Sequence, residues 1–201
     1  MVREVAWQWQ ILILLQITSL SFQLNHEFVP VNEEMFSDCT DNPGFESVDK
    51  LADLSAFGRK RAPNGGINIG GNITMKWNVQ PSDRIGVEVG IYKLEKGVWK
   101  PTVLKGGDRD FCKSFYDKNT LYYPYSTEHV INKEDVKDKC INIPGTVLVV
   151  EPFLERILIS YAAPLTPGRH KALITFTAFD KANAKRPDAI CLEIIGDVVK
   201  A

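Results

Sequence analysis

The residues with the most chemical scope in this 201-residue chain are four cysteines, Cys39, Cys112, Cys140 and Cys191. None of their spacings is short and no Cys-x-x-Cys pair occurs, which argues against a zinc site. An even count in a chain with an export leader reads as two disulfides, with three connectivities open. We expect Cys39 with Cys191, tying the two ends, and Cys112 with Cys140, closing a middle loop. Each bridge should contribute roughly 2–4 kcal/mol. Oxidised cysteines leave no thiolate nucleophile. His26, His129 and His170 are scattered through the chain. The run Gly65-Gly66-Ile67-Asn68-Ile69-Gly70-Gly71 lacks the Lys-Ser/Thr of a phosphate loop and begins a strand instead of a helix. Pro63-Asn64-Gly65-Gly66 reads as a hairpin turn. With no hydrolase elbow and no zinc-protease helix, the expectation is a protein with no catalytic residues, no metal and no cofactor.

Two other groups of residues point toward binding. Asn72-Ile73-Thr74 is an N-glycosylation acceptor, usable if Asn72 is exposed. The aromatic residues Phe111, Phe115, Tyr116, Tyr122, Tyr123 and Tyr125 crowd one irregular stretch. With Trp77, Phe153 and Phe176 from the strands, they are the expected lining and entrance of an apolar ligand site. Tyrosine suits an amphipathic ligand because its ring buries while its hydroxyl finds a polar partner. The 24 basic and 25 acidic residues leave a formal net charge of −1. That balance offers no basic stripe for phosphates, so a nucleic-acid partner is not expected.

The elements that must position these residues begin after a leader. Met1-Val2-Arg3-Glu4 precedes an apolar run from Ile11 to Phe22, too short for a bilayer, which needs roughly 20 apolar residues. A signal peptide over residues 1–22 is expected, cut near Ser21 to Gln23. The remainder, residues 23–201, is expected to form one domain delivered to an oxidising, extracellular compartment, and not an integral membrane protein. Ile67, Ile69, Ile73, Met75, Trp77 and Val79 share one parity of a long strand, with a bend at Gly70-Gly71. Asn72 falls on its polar face. Ile85, Val87, Val89 and Ile91 alternate after a Pro81-Ser82-Asp83 turn and should return as its hairpin partner. Further strands are expected at Trp99–Leu104, after Lys96-Gly97, and at Val147–Val150, Ile157–Tyr161, Ala172–Phe179 and Ile190–Val199. Phe36–Thr40 and Phe45–Phe57 are candidates upstream, the second also fitting a helical face. Arg59-Lys60-Arg61 fits a basic processing site but reads more readily as a solvated turn between two strands. Ile190, Leu192, Ile194 and Val198 share a face, which puts the Cys191 bridge outside the main apolar interior. Short strands between turn signals indicate an all-β sandwich. The segment from Asp108 to Asn142 breaks the pattern and reads as a short helix plus a long loop stapled by Cys112–Cys140.

The order of these features resembles the insect chemosensory B proteins, themselves similar to the ganglioside-activator and ML lipid-recognition sandwiches. The matching features are the leader, the early Cys39, and Asn64-Gly65 before the strand containing Trp77. Next come Asp110-Phe111-Cys112, the step from Cys140 to Pro144-Gly145, and Pro167-Gly168-Arg169 feeding Ala172–Phe179. Ile190-Cys191-Leu192-Glu193 comes last. The resemblance spans Met35 to Val199. It implies an immunoglobulin-like β-sandwich with an apolar cavity between its sheets, and it supports the two bridges favoured above. It also implies a secreted, gustatory binding protein for a lipid or other hydrophobic cue, such as a cuticular hydrocarbon or pheromone. Ganglioside activators carry more than four cysteines, so their glycolipid substrate is not carried over. Two alternatives stand beside this reading: an adaptor for a sensory receptor or ion channel with a filled core, and a lipid-presenting cofactor of a secreted hydrolase.

Overall fold

Side chains that alternate between apolar and polar can bury one face only by pairing into sheets, and the long alternating runs of this chain do so. The computed structural model describes residues 25–63, 65–160 and 165–200. The expected signal peptide lies outside the described residues, as do Asn64 of the expected turn, Tyr161 and Pro164. In chain order the strands are β1 (Asn25–Pro30), β2 (Ser37–Asp38), β3 (Ala52–Asp53), β4 (Phe57–Arg61), β5 (Ile67–Met75) and β6 (Arg84–Glu95). There follow β7 (Val98–Asp108), β8 (Val147–Glu155), β9 (Ile157–Ser160), β10 (Gly168–Phe179) and β11 (Ile190–Lys200). One sheet runs β7-β6-β10-β11-β1-β9, with β2 also against β11. In the other, β5 pairs with β8 along one edge and with β4 and β3 along the other. Every pairing named is antiparallel, and the result is an all-β, sandwich-like fold.

The bend expected in β5 is there. The pairing with β8 slips between Ile69 and Gly71, and Gly71 has φ 115°, where a side chain would collide with the Ala56 carbonyl. Lys96 and Gly97 (φ 50° and 80°) make the tight turn that joins β6 to β7, because two positive φ values match the strand twist. Asn72 lies exposed on the polar face of β5.

Two expectations are corrected. β5 ends at Met75, and β6 does not return beside it; β6 lies in the other sheet, between β7 and β10. Trp77 and Val79 keep the parity of β5 and stay buried, so alternation continues through a connector that changes sheets. Arg59-Lys60-Arg61 is strand, not a solvated turn: Arg59 reaches Glu34 at 2.8 Å, and Arg61 donates to the Pro30 carbonyl at 2.8 Å. Within Phe45–Phe57, where a strand and a helical face both fitted, the chain takes the helix at Val48–Leu51 and then the two-residue β3. β1 and β4 are strands at positions where the sequence pattern indicates none.

The main core joins Ile85, Val87, Ala178, Ile190 and Leu192 of the larger sheet to Ile67, Ile69, Met75, Leu148 and Val150 of the smaller. Each fully buried aliphatic side chain contributes about 1.5–3 kcal/mol. A second cluster of Phe28, Leu165 and Val198, with Ile157, Ile159 and Ile194 against it, fills the other end. Both bridges form as expected, Cys39–Cys191 and Cys112–Cys140. Cys191 turns away from the main core, yet it is only 1% exposed, because that face of the sheet is itself covered. There Lys171 meets Asp41 at 2.8 Å and Glu193 at 3.1 Å, with the Trp99 ring 5.1 Å from its ammonium. Among the described residues no helix is long and apolar enough to cross a membrane.

Candidate functional site

The stretch between β7 and β8 folds as a chain of short turns: helix Phe111–Ser114, 3₁₀ turns Tyr123–Tyr125 and Thr127–His129, and helix Lys133–Val136. Apolar residues at helical spacing drive it, since Phe111 and Phe115 fall on one face and are buried in the main core. The segment is fastened at several points. Cys112–Cys140 closes its base. The buried Asn142 amide donates to the carbonyls of Gln80, Pro81 and Asp83 at 3.3–3.4 Å. Thr127 donates to the Phe115 carbonyl at 2.8 Å, and Asn132 exchanges hydrogen bonds with Val147 and Val149 of β8.

Five of the nine expected aromatic residues come together. Phe111 stands 5.1 Å from Phe115, 5.3 Å from Tyr122 and 5.5 Å from Phe176, and Phe115 is 4.8 Å from Tyr116. Tilted and edge-on contacts of this kind exceed simple area burial by about 0.5–1.5 kcal/mol each. Phe111 and Phe115 are buried in the main core, and Tyr116, Tyr122 and Phe176, partly buried, pack against it. Their polar handles are served: Tyr122 shares a hydrogen bond with Ser114 at 2.8 Å, Ser114 donates to Asp108, and the Tyr116 hydroxyl reaches the Val136 carbonyl at 3.4 Å. Burial pushes the Tyr116 phenol up to about 12. Burial also raises Tyr122, against hydrogen bonds from Ser114 and Thr120 that lower it. Both phenols therefore act as hydrogen-bonding groups and not as anions at ordinary pH.

The other four lie elsewhere. Trp77 donates from Nε1 to the Asp188 carbonyl at 2.9 Å. It stands at the edge of an open groove of about 460 Å³ lined by Glu46, Asp49, Lys50 and Lys76. Tyr123 is buried beneath Lys133. Tyr125 is on the outside, and its hydroxyl straps the segment to the Leu158 carbonyl of β9 at 2.9 Å. Phe153 stacks on His129 at 3.4 Å, with Glu151 beside the imidazole at 3.2 Å. A second open depression of about 270 Å³ lies over Asp83, Lys113, Lys137 and Asn142. Both depressions are lined largely by charged and polar side chains. Among the described residues no three His, Cys, Asp or Glu side chains converge to hold a metal ion.

One residue that the sequence did not single out stands apart. Glu155, the last residue of β8, is 5% exposed, and both its carboxylate oxygens are buried without a hydrogen-bond partner. It is opposite Ile67, which in turn is opposite Arg61, so the three side chains share the inward face of the smaller sheet. Burial pushes the Glu155 carboxyl up to about 7. In sequence, Glu155-Arg156 between two apolar runs looks like a solvated turn. The pairing of Glu155 opposite Ile67, beyond the register shift in the β5–β8 ladder, turns the carboxylate inward.

No known protein-family model matches the chain, and comparison with curated proteins returns no significant match.

Proposed function

We propose that this chain is an exported, non-catalytic β-sandwich that binds a lipid or another hydrophobic cue and serves chemosensory detection, with a cuticular hydrocarbon or pheromone as the ligand class. The observation that carries the reading is the ring cluster of Phe111, Phe115, Tyr116, Tyr122 and Phe176, gathered between the sheets under a disulfide-stapled segment. Ring-to-ring contacts can be exchanged for ring-to-ligand contacts at little cost, and apolar ligand surface leaving water contributes about 25 cal/mol per Å². The chemosensory assignment rests on the resemblance in the order of sequence features. The two bridges support export, since disulfides persist in oxidising compartments.

A second reading has its own observation. The rings fill one another's space, and the same segment exposes Leu121 (80%) and Ile131 (64%). Those features suit an adaptor that touches a receptor or ion channel with a dry core. Native mass spectrometry of protein secreted from insect cells, followed by organic extraction, separates the two. A stoichiometric apolar adduct is expected. A clean apo mass with no uptake from hydrocarbons, fatty acids or sterols would replace the carrier with the adaptor.

A further inference from the structure

Buried carboxylates in this fold are served by cations. Asp83 is gripped by Arg186 through two bonds of 3.0 Å, Glu27 by Arg156 through two of 3.1 Å, and Glu193 by Lys171. Glu155 is not. The guanidiniums that could serve it are committed elsewhere: its neighbour Arg156 turns to Glu27, and Arg61, two strands across, spans the gap between the sheets to the Pro30 carbonyl. Glu155 also marks a division in the interior. Phe153, two residues before it, packs into the main core, while Ile157, two residues after it, packs into the smaller cluster around Phe28. The unserved carboxyl therefore stands on the inward face of a sheet, at the seam between two apolar clusters. A buried polar group without a partner is costly and calls for a functional explanation.

We propose that Glu155 is the polar anchor of a ligand site at this seam, and that the ligand is an uncharged, hydroxyl-bearing lipid, a long-chain alcohol or a sterol. The inference rests on the reading of the chain as a carrier of an apolar ligand and names the chemistry of its polar end. A neutral carboxyl donates from its O–H and accepts at its carbonyl oxygen, and an alcohol hydroxyl both accepts and donates, so one pairing satisfies both groups. A fatty-acid anion would bury its own negative charge in the apolar seam, with no free cation among the described residues beside Glu155 to balance it. An ammonium would need an ionised Glu155 and its own desolvation in the same apolar seam. A plain hydrocarbon would leave the carboxyl unserved.

The test uses the full secreted chain, delipidated, with five probes: hexadecane, 1-hexadecanol, cholesterol, palmitic acid and hexadecylamine. Affinities are read by native mass spectrometry and by displacement of a fluorescent apolar probe. The wild type should bind 1-hexadecanol or cholesterol about ten-fold more tightly than hexadecane, the worth of one water-excluded hydrogen bond. Which of the two hydroxylated probes binds decides between alcohol and sterol. Glu155→Leu should lose the preference for the hydroxyl, while Glu155→Gln, which can still donate and accept, should keep it. Both substitutions remove a titrating group from an apolar site, so both variants should fold. Equal affinity for alkane and alcohol, a retained preference in Glu155→Leu, or a preference for palmitic acid or hexadecylamine overturns the anchor and leaves the carrier standing. Failure of every probe, hexadecane included, overturns the carrier reading and the anchor with it.

Discussion

Replacing Glu155 by Gln should change how the stability of the fold depends on pH. The carboxyl is 5% exposed, has no partner, and is raised by burial from 4.5 to about 7. A raised carboxyl binds its proton more tightly in the folded state than in the unfolded one. Its cost is therefore absent below the unfolded value of about 4.5, grows as pH rises, and is complete above about 7. Between pH 5 and 8 the group should remove about 2 to 3 kcal/mol of stability from the wild type. Urea unfolding with disulfides intact, run at intervals over that range for both proteins, measures the effect. The variant should gain on the wild type by about 2 to 3 kcal/mol from pH 5 to pH 8, or roughly 5–10 °C in melting temperature for a chain of this size. Groups common to both proteins cancel in the difference. The Arg186 guanidinium holds Asp83 below the usual carboxylate range; its contribution is present above the unfolded Asp value and is lost only in stronger acid. Parallel curves for variant and wild type across pH 5–8 would mean that Glu155 is ionised and solvated in the folded protein, and the reasoning would fail.

Two further perturbations test the packing. Lys171→Met should destabilise by about 3–5 kcal/mol, because it leaves the buried Glu193 without its cation. Lys171→Met with Glu193→Leu should recover most of that loss, and denaturant titration of both variants would expose the idea as wrong if the double variant were no better than the single. Asn142→Ala removes the donor to three carbonyls of the Gln80–Asp83 turn and should cost roughly 1–3 kcal/mol. Hydrogen exchange should then quicken between residues 108 and 142 while β10 and β11 stay protected. A uniform change over both regions would show that Asn142 does not fasten that segment locally.

What the sequence carried was largely what period and turn chemistry can carry. The alternation of Ile67, Ile69 and Met75, the Gly70-Gly71 bend and the Lys96-Gly97 turn are local signals, and each became the element it indicated. Sheet membership is not local. Trp77 and Val79 continue the parity of β5 after the ladder has stopped, so alternation alone could not show that β6 belongs to the other sheet. Arg59-Lys60-Arg61 looked like a turn because three cations rarely sit in a strand. Glu34 and the Pro30 carbonyl, both distant in sequence, make it tolerable. The aromatic site was half legible: helical spacing placed Phe111 and Phe115 together, but Phe176 joins them only through the fold, and Tyr125 is drawn outward by the Leu158 carbonyl.

Glu155 gave no local signal, and its meaning comes from comparison with the other buried charges. A chain that served none of its buried ions would simply be poorly packed. This one serves Asp83 and Glu27 with two-pronged guanidiniums and surrounds Lys171 with two carboxylates and an indole ring. Among the described residues the unpartnered buried side-chain oxygens are those of Glu155 and Thr146. A lone hydroxyl such as that of Thr146 is the smaller exception, because a neutral group costs less to bury than an ionisable one. At neutral pH the raised Glu155 carboxyl costs the fold about 3 kcal/mol relative to a group there that does not titrate, and the adjacent Arg156 could have relieved the cost yet turns to Glu27. A rule kept at the other buried charges and broken at one inward-facing carboxyl is the pattern expected of a functional position.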